Sequence, residues 1–260
     1  MFWLRLCRAV ILRYVLVLGC VGLVLGLPVR ATQLGLRPGR TVAIRMPDGR
    51  SLNAIHAEAA QRPAAAVVLV PMLGRGKEDW QPLIDRLVEA NITALAIDLP
   101  GVAVPADAKE LISWHTAVIG AVDYLFTRAE VRSSAIGVAG ASLGANLAAV
   151  AAAADGRIRS LALVSPSADY RGVRVEGALK EYGGRPALLL ASAKDPYSAR
   201  TVRELAAGAP RPGLPERLGG VPPGLREMLW SEVPAHGSIL LARQPELTRS
   251  LVDWFLRTLQ

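Results

Sequence analysis

Cysteine is nearly absent from this chain of 260 residues, and its two copies, Cys7 and Cys20, both lie within the first thirty. From residue 32 onward the chain therefore has no disulfide framework, no zinc–thiolate site and no thiol nucleophile. Histidine is almost as scarce. His56, His115 and His236 stand far apart and form no metal-ligating motif, so neither a metal nor an organic cofactor is expected. Acidic residues are missing altogether from residues 1–31. No later apolar run is long enough to cross a bilayer, which excludes a polytopic membrane protein. Disorder is excluded too, because 52% of residues are hydrophobic and 20% charged. The net charge of +8 comes from basic residues interspersed with acids rather than drawn into a stripe, a pattern that points away from nucleic acid.

What the first segment does contain is a basic start with Arg5, Arg8 and Arg13, then an uncharged apolar run over 14–27, then Pro28. Val29-Arg30-Ala31 follows, with small residues where a cleavage site needs them. This reads as a secretory signal peptide. Two alternatives are an uncleaved membrane anchor over residues 10–28 and a lipoprotein signal acylated at Cys20, after Val17-Leu18-Gly19. In all three the arginines stay inside, so the body at 32–260 is expected to be exported, periplasmic or extracellular.

The body opens with a hairpin, strands 40–47 and 51–57 around Asp48-Gly49. Short apolar strands then alternate with amphipathic helices. Strands are expected at 65–71, 92–99, 134–139, 159–164, 186–191 and 228–233. Helices are expected at 78–90, 108–128, from the serine turn to about 154, near 174–182, at 197–207 and from Pro245 to the end. Such alternation builds a mostly parallel sheet covered by helices on both faces, with a ligand edge at the strands' C-terminal ends. The Pro/Gly-rich stretch 208–224 reads as a surface connector on the opposite edge. Only about twenty residues separate strands 159–164 and 186–191, too few for a large lid.

Strand 134–139 runs into Gly140-Ala141-Ser142-Leu143-Gly144 and directly into a helix, the strand–turn–helix setting that G-x-S-x-G requires. A serine hydroxyl needs a base within reach and an acid to hold that base. His236, in Pro234-Ala235-His236-Gly237 just past the last strand, is at the ligand edge and is the candidate base. His56 and His115 read as ordinary polar positions. Asp195, after strand 186–191, is the candidate acid, although Asp-Pro is also an ideal helix cap. Asp169 is the second candidate acid, and Asp98 reads as a loop-stabilising residue. An oxyanion needs two N–H donors. Leu143 supplies one, and Leu73 or Met72 in Pro71-Met72-Leu73-Gly74-Arg75-Gly76 supplies the other.

With these segments the chain resembles the α/β-hydrolase superfamily over residues 40–259, within it the dienelactone-hydrolase-like and small serine esterase branch. Elbow, acid and base occur in the order Ser142, Asp195, His236, and Val138-Ala139-Gly140-Ala141-Ser142-Leu143-Gly144-Ala145-Asn146 is similar to that branch. Pro71-Met72 stands where the branch usually has His-Gly, and Ser142 where dienelactone hydrolases carry cysteine. The resemblance implies an α/β-hydrolase fold and acyl transfer to water, with a small-molecule ester as substrate. Tyr170, Arg171, Arg174 and Arg75 either favour an acidic substrate group or are solvated surface residues. A peptidase or amidase on the same three residues, and a non-catalytic exported binding protein, are the other two function classes. Cleavage after Ala31 predicts an exported protein that begins at Thr32 in N-terminal sequencing; a start at Cys20 or at Met1 would overturn that site.

Overall fold

The computed structural model describes residues 39–46, 49–101, 103–207 and 224–260. The expected leader, Asp48 of the first turn and nearly all of the 208–224 connector lie outside the described residues. Among the described residues no helix is long and apolar enough to cross a membrane.

Strands β1 (Arg40–Arg45) and β2 (Ser51–Ala57) form the expected hairpin, with Ile44 opposite Leu52. Strands β3 (Ala64–Val70), β4 (Thr93–Ile97), β5 (Val131–Ala141), β6 (Ile158–Val164), β9 (Ala187–Ser192) and β10 (Arg226–Ser231) run parallel. The eight strands make one sheet in the order β1-β2-β4-β3-β5-β6-β9-β10, with β2 antiparallel to β4. A separate two-stranded ribbon, β7 (Asp169–Tyr170) and β8 (Val173–Arg174), rises between β6 and β9.

Strand β3 shows why the central strands are mostly apolar. All seven of its residues are buried. Ala66, Val68 and Val70 enter the core on one face, while Ala65, Val67 and Leu69 enter the core on the other. Sheet alternation combined with two covered faces leaves none of its positions open to solvent. One face is covered by α2 (Ala108–Ser113), α3 (His115–Phe126), α4 (Leu143–Ala154), α5 (Val175–Tyr182) and the inner side of α6 (Pro196–Ala207). The other is covered by α1 (Gln81–Glu89), α7 (Ser238–Arg243) and α8 (Glu246–Thr258). Helix α1 ends as its sequence implies: Asn91 takes φ 58°, and the Ile92 N–H donates to the Leu87 carbonyl at 2.8 Å. In α8, Trp254 is fully buried and its Nε1 donates to the Leu161 carbonyl at 2.9 Å, pinning the last helix to β6.

The structure differs from expectation between β4 and β5. One helix was expected over 108–128, but α2 and α3 are separate and meet at Trp114. Three side chains around the break bond back to carbonyls three residues earlier: Ser113 to Glu110, His115 to Ile112 and Thr116 to Ser113. Such local bonds compete with the helical ladder. Trp114, at the junction, is buried and packs against Gly101. The ribbon β7–β8 and the short helix α7 were not expected either; each is too short to show a period.

The insert between β6 and β9 is fastened to α4 by a buried amide. Asn146 Nδ2 donates to the Ser167 carbonyl and Oγ, both at 3.0 Å, and to the Val173 carbonyl at 2.8 Å; its Oδ1 accepts from Ser167 N at 3.1 Å. Removing the amide strands the buried Val173 carbonyl and unpairs half-buried Ser167. Asn146→Ala should therefore cost about 3 kcal/mol in urea unfolding, and a cost below about 1 kcal/mol would show that water replaces the amide there.

Candidate active site

Strand β5 ends at Ala141 and helix α4 begins at Leu143, so Ser142 alone makes the turn, at φ 53° and ψ −120°. The turn requires bare backbone on both sides. A Cβ on Gly140 would stand 2.2 Å from the Gly144 carbonyl oxygen. A Cβ on Gly144 would stand 2.4 Å from the carbonyl oxygens of Val70 and Pro71 at the end of β3. The spacing of the motif is therefore a packing requirement between the elbow and its neighbouring strand. The Ser142 N–H donates to the Val164 carbonyl at 2.8 Å, which carries the β5–β6 ladder one residue past the strand and fixes the serine's height above the sheet.

Two further strand ends bring the partners. His236 Nε2 lies 2.8 Å from Ser142 Oγ, and its Nδ1 lies 2.6 Å from Asp195 Oδ2. Residues 94 and 41 positions apart in sequence thus form one unbroken hydrogen-bonded chain. With Nδ1–H donating to the carboxylate, Nε2 is the free acceptor facing the serine hydroxyl. The Asp195 carboxylate also caps α6. Its Oδ1 accepts from Ser198 N at 3.3 Å, and its backbone carbonyl accepts the Ala199 N–H. Capping and orienting the histidine are done by different oxygens of one side chain. Burial pushes this carboxyl up, but hydrogen bonds from His236 and Ser198 outweigh that and hold it below the usual carboxylate range, so it stays anionic near neutral pH.

The loops themselves are cross-tied. Ser192 Oγ donates to the Val233 carbonyl at 2.6 Å, and Ala193 N to the Ser231 carbonyl at 2.7 Å, joining the acid's loop to the histidine's. Gly237 N donates to Ser165 Oγ at 3.0 Å, and Ser198 Oγ lies 3.4 Å from His236 Nδ1. Asp79, in the turn Lys77–Trp80 before α1, takes a bidentate pair from Arg75 at 2.6 and 2.8 Å and a third bond from Ser238 Oγ at 2.6 Å. Burial raises the Asp79 carboxyl, yet these bonds leave it below its ordinary value. None of Ser165, Ser198, Asp79 and Ser238 was picked out from sequence. Ser198 carried a signal, standing three residues past a capping aspartate; the others are serines and an acid in short turns with no pattern of their own.

The remaining candidates separate cleanly. Leu143 N opens α4 beside Ser142, at the positive end of the helix dipole. Met72 and Leu73 follow β3 on the neighbouring loop, and Met72 Sδ packs against Gly237. Asp169, the second candidate acid, is exposed and bonded to Arg174 and to Gly172 N, so it does not orient His236. Asp98 accepts from Lys77 N and Nζ and ties the loop as expected. His115 bonds the Ile112 carbonyl, and buried His56 lies against Tyr124, its pKa lowered chiefly by burial. Of the four groups considered for an acidic substrate, Arg75 is paired with Asp79 and Arg174 with Asp169. Arg171 donates to the Ala106 carbonyl, and Tyr170 is half-buried against the core. The His236 side chain is 41% exposed, so the hydrogen-bonded chain opens directly to solvent.

No family model matches the chain, and no curated protein does. Solved structures match over most of its length. A dienelactone hydrolase from Anabaena variabilis superposes with a TM-score of 0.66 at 16% identity, covering 85% of this chain and 98% of that one. An esterase from Pyrococcus furiosus gives 0.68 at 15% identity over 86% and 92%, and Est1E from Butyrivibrio proteoclasticus 0.65 at 15% over 85% and 99%. The chain has the α/β-hydrolase fold, and among the described residues no large lid covers the strand ends.

The elbow packing makes a sharp prediction. Gly144→Ala must push backbone against backbone, so it should cost about 3 kcal/mol or more. Gly177→Ala, where nothing lies within 4 Å, should be neutral or stabilising by up to about 1 kcal/mol. Equal unfolding midpoints for the two variants would refute the steric account.

Proposed function

We propose that this chain is a serine hydrolase, a carboxylesterase that cleaves small or soluble esters through an acyl-enzyme. The observation that carries the reading is the chain Ser142 Oγ–His236–Asp195 at 2.8 and 2.6 Å, set at the N-terminus of α4. Solved proteins of the same fold whose names are those of esterases and of a dienelactone hydrolase support it.

The geometry supports the following cycle. His236 Nε2 takes the Ser142 proton as Oγ attacks the ester carbonyl. The charge that develops on the carbonyl oxygen rests on the Leu143 N–H and on that of Leu73 or Met72. Asp195 stabilises the imidazolium and keeps its tautomer. His236 then gives its proton to the leaving alcohol, and a water deprotonated by His236 attacks the acyl-enzyme and restores Ser142. Protein groups and water supply every proton and electron pair in this scheme. Because the insert between β6 and β9 is one ribbon and one short helix, the site suits compact esters better than long acyl chains that need a covered tunnel. With Arg75 and Arg174 already paired, a neutral ester is favoured over an acidic one. The basic, acid-free start of the chain and the apolar run after it support action outside the cytoplasm.

Active-site labelling tests the mechanism. The body from Thr32 onward should take up one equivalent of a fluorophosphonate by intact mass. Ser142→Ala should take none, and His236→Ala should react at least about 10³-fold more slowly. An unreactive wild type with a normal unfolding transition would reject the mechanism and leave a binding protein on this scaffold.

A further inference from the structure

Two loops must hold still relative to each other if the proposed cycle is to work: the one carrying His236, where the proton goes, and the one carrying Met72 and Leu73, where negative charge develops. Nothing in the hydrogen-bonded chain of Ser142, His236 and Asp195 connects them. The loop at 71–76 is also poorly constrained by its own sequence. Gly74 sits at φ 73°, and Arg75 is the one side chain between two glycines in Gly74-Arg75-Gly76. One backbone bond, from Arg75 N to the Met72 carbonyl at 3.2 Å, closes the loop, and Asp98 holds its far end at Lys77; the rest of its hold comes from side chains.

Asp79 holds it. Its carboxylate takes the Arg75 guanidinium through Nε and Nη2 in fork geometry, which fixes both position and angle. The same Oδ2 accepts the Ser238 hydroxyl, two residues past His236. Ser238 is buried and opens α7, so its position sets where that helix starts and where the histidine loop ends. The carboxylate itself is anchored, with its side chain only 16% exposed and fully buried Trp80 next to it. A direct contact backs the bridge: a Cβ on Gly237 would come 2.7 Å from Met72 Sδ, so the two loops touch where they carry their functional groups.

We propose, on the basis of the serine hydrolase reading above, that Asp79 is a positioning residue that joins the oxyanion loop to the histidine loop through Arg75 and Ser238. It touches no reacting atom. Its effect falls on the transition state, in which imidazolium and oxyanion must both be accommodated, so its loss lowers kcat more than it raises KM.

The test uses Asp79→Asn, Asp79→Ala and Ser238→Ala in the full body, each checked for an unchanged unfolding midpoint. Amide hydrogen exchange is read over 71–76 and 235–241; kcat, KM on a p-nitrophenyl ester and the fluorophosphonate labelling rate are read in parallel. Both Asp79 variants should speed exchange in both segments, lower kcat and the labelling rate about tenfold or more, and leave KM within about threefold. Ser238→Ala, which keeps the Arg75–Asp79 pair, should loosen 235–241 alone and lower kcat less. Unchanged exchange at 235–241 in Asp79→Ala, or faster exchange without a fall in kcat, would overturn the proposal. A wild type that never labels would instead reject the hydrolase reading, and the exchange measurements would then decide the bridge by themselves.

Discussion

The site depends on one backbone conformation, that of Ser142 at φ 53° and ψ −120°. A residue with a side chain rarely occupies this region, and it persists only where the surroundings leave no alternative. Here the surroundings are a strand that cannot extend and a helix that cannot start elsewhere. Gly140 lies against Gly144, and Gly144 lies against the last carbonyls of β3. The serine is lifted above the sheet because its neighbours are packed too closely for it to lie down. Its hydroxyl then stands at the mouth of the sheet, at the start of a helix whose dipole favours negative charge.

Parallel topology does the rest. Strands β3, β5, β6, β9 and β10 all end at one edge, so the loops after them converge without any long-range device. Each loop then needs only short ties to its neighbour. Ser142 N reaches the Val164 carbonyl, Ser165 Oγ accepts from Gly237 N, Ser192 Oγ donates to the Val233 carbonyl, and Asp79 accepts from Arg75 and Ser238. Three of these five ties run through the hydroxyl of a serine at the end of a strand or the start of a helix. A short side chain with one rotatable hydroxyl can bridge backbones that approach within a few ångströms, where a longer side chain would have to fold back on itself.

This explains which parts of the molecule were legible in its sequence. Strands such as β3 and β9, buried on both faces, announce themselves as unbroken apolar runs. Helices such as α1 and α8 show a one-sided stripe, and the Gly140–Gly144 motif shows its turn. Ser142, Asp195 and His236 could be picked out because each follows a readable strand and histidine is rare enough to leave few choices. The helix break at Trp114 was not legible, since the stripe of Leu111, Val118, Val122 and Leu125 is the same whether or not Ser113, His115 and Thr116 bond backward. The connections through Ser165, Asp79 and Ser238 were hidden for a different reason. Their partners lie 72 residues away for Ser165 and 159 for Ser238, in loops with no periodicity. Only the folded edge brings them together.

Asp195 shows why a sequence reading that weighs one role against another can pose the wrong choice. Asp-Pro was open to two accounts, helix cap or partner of the histidine. A carboxylate has two oxygens, and here each takes one account: Oδ1 faces Ser198 N, and Oδ2 faces His236 Nδ1. The cap is part of how the orientation is achieved. A carboxylate held only by the histidine could rotate about its own axis and follow the imidazole as it moved. Held at Oδ1 by the first turn of α6, it presents Oδ2 at a fixed height, and the imidazole must align with it. The same logic applies at Asp79, whose two oxygens face a fork on one loop while one of them also receives a hydroxyl from another. In both places an acid is placed by one element so that it can place a second. The rigidity of the edge is thus inherited from the helices behind it, and they in turn are held by the two covered faces of the sheet.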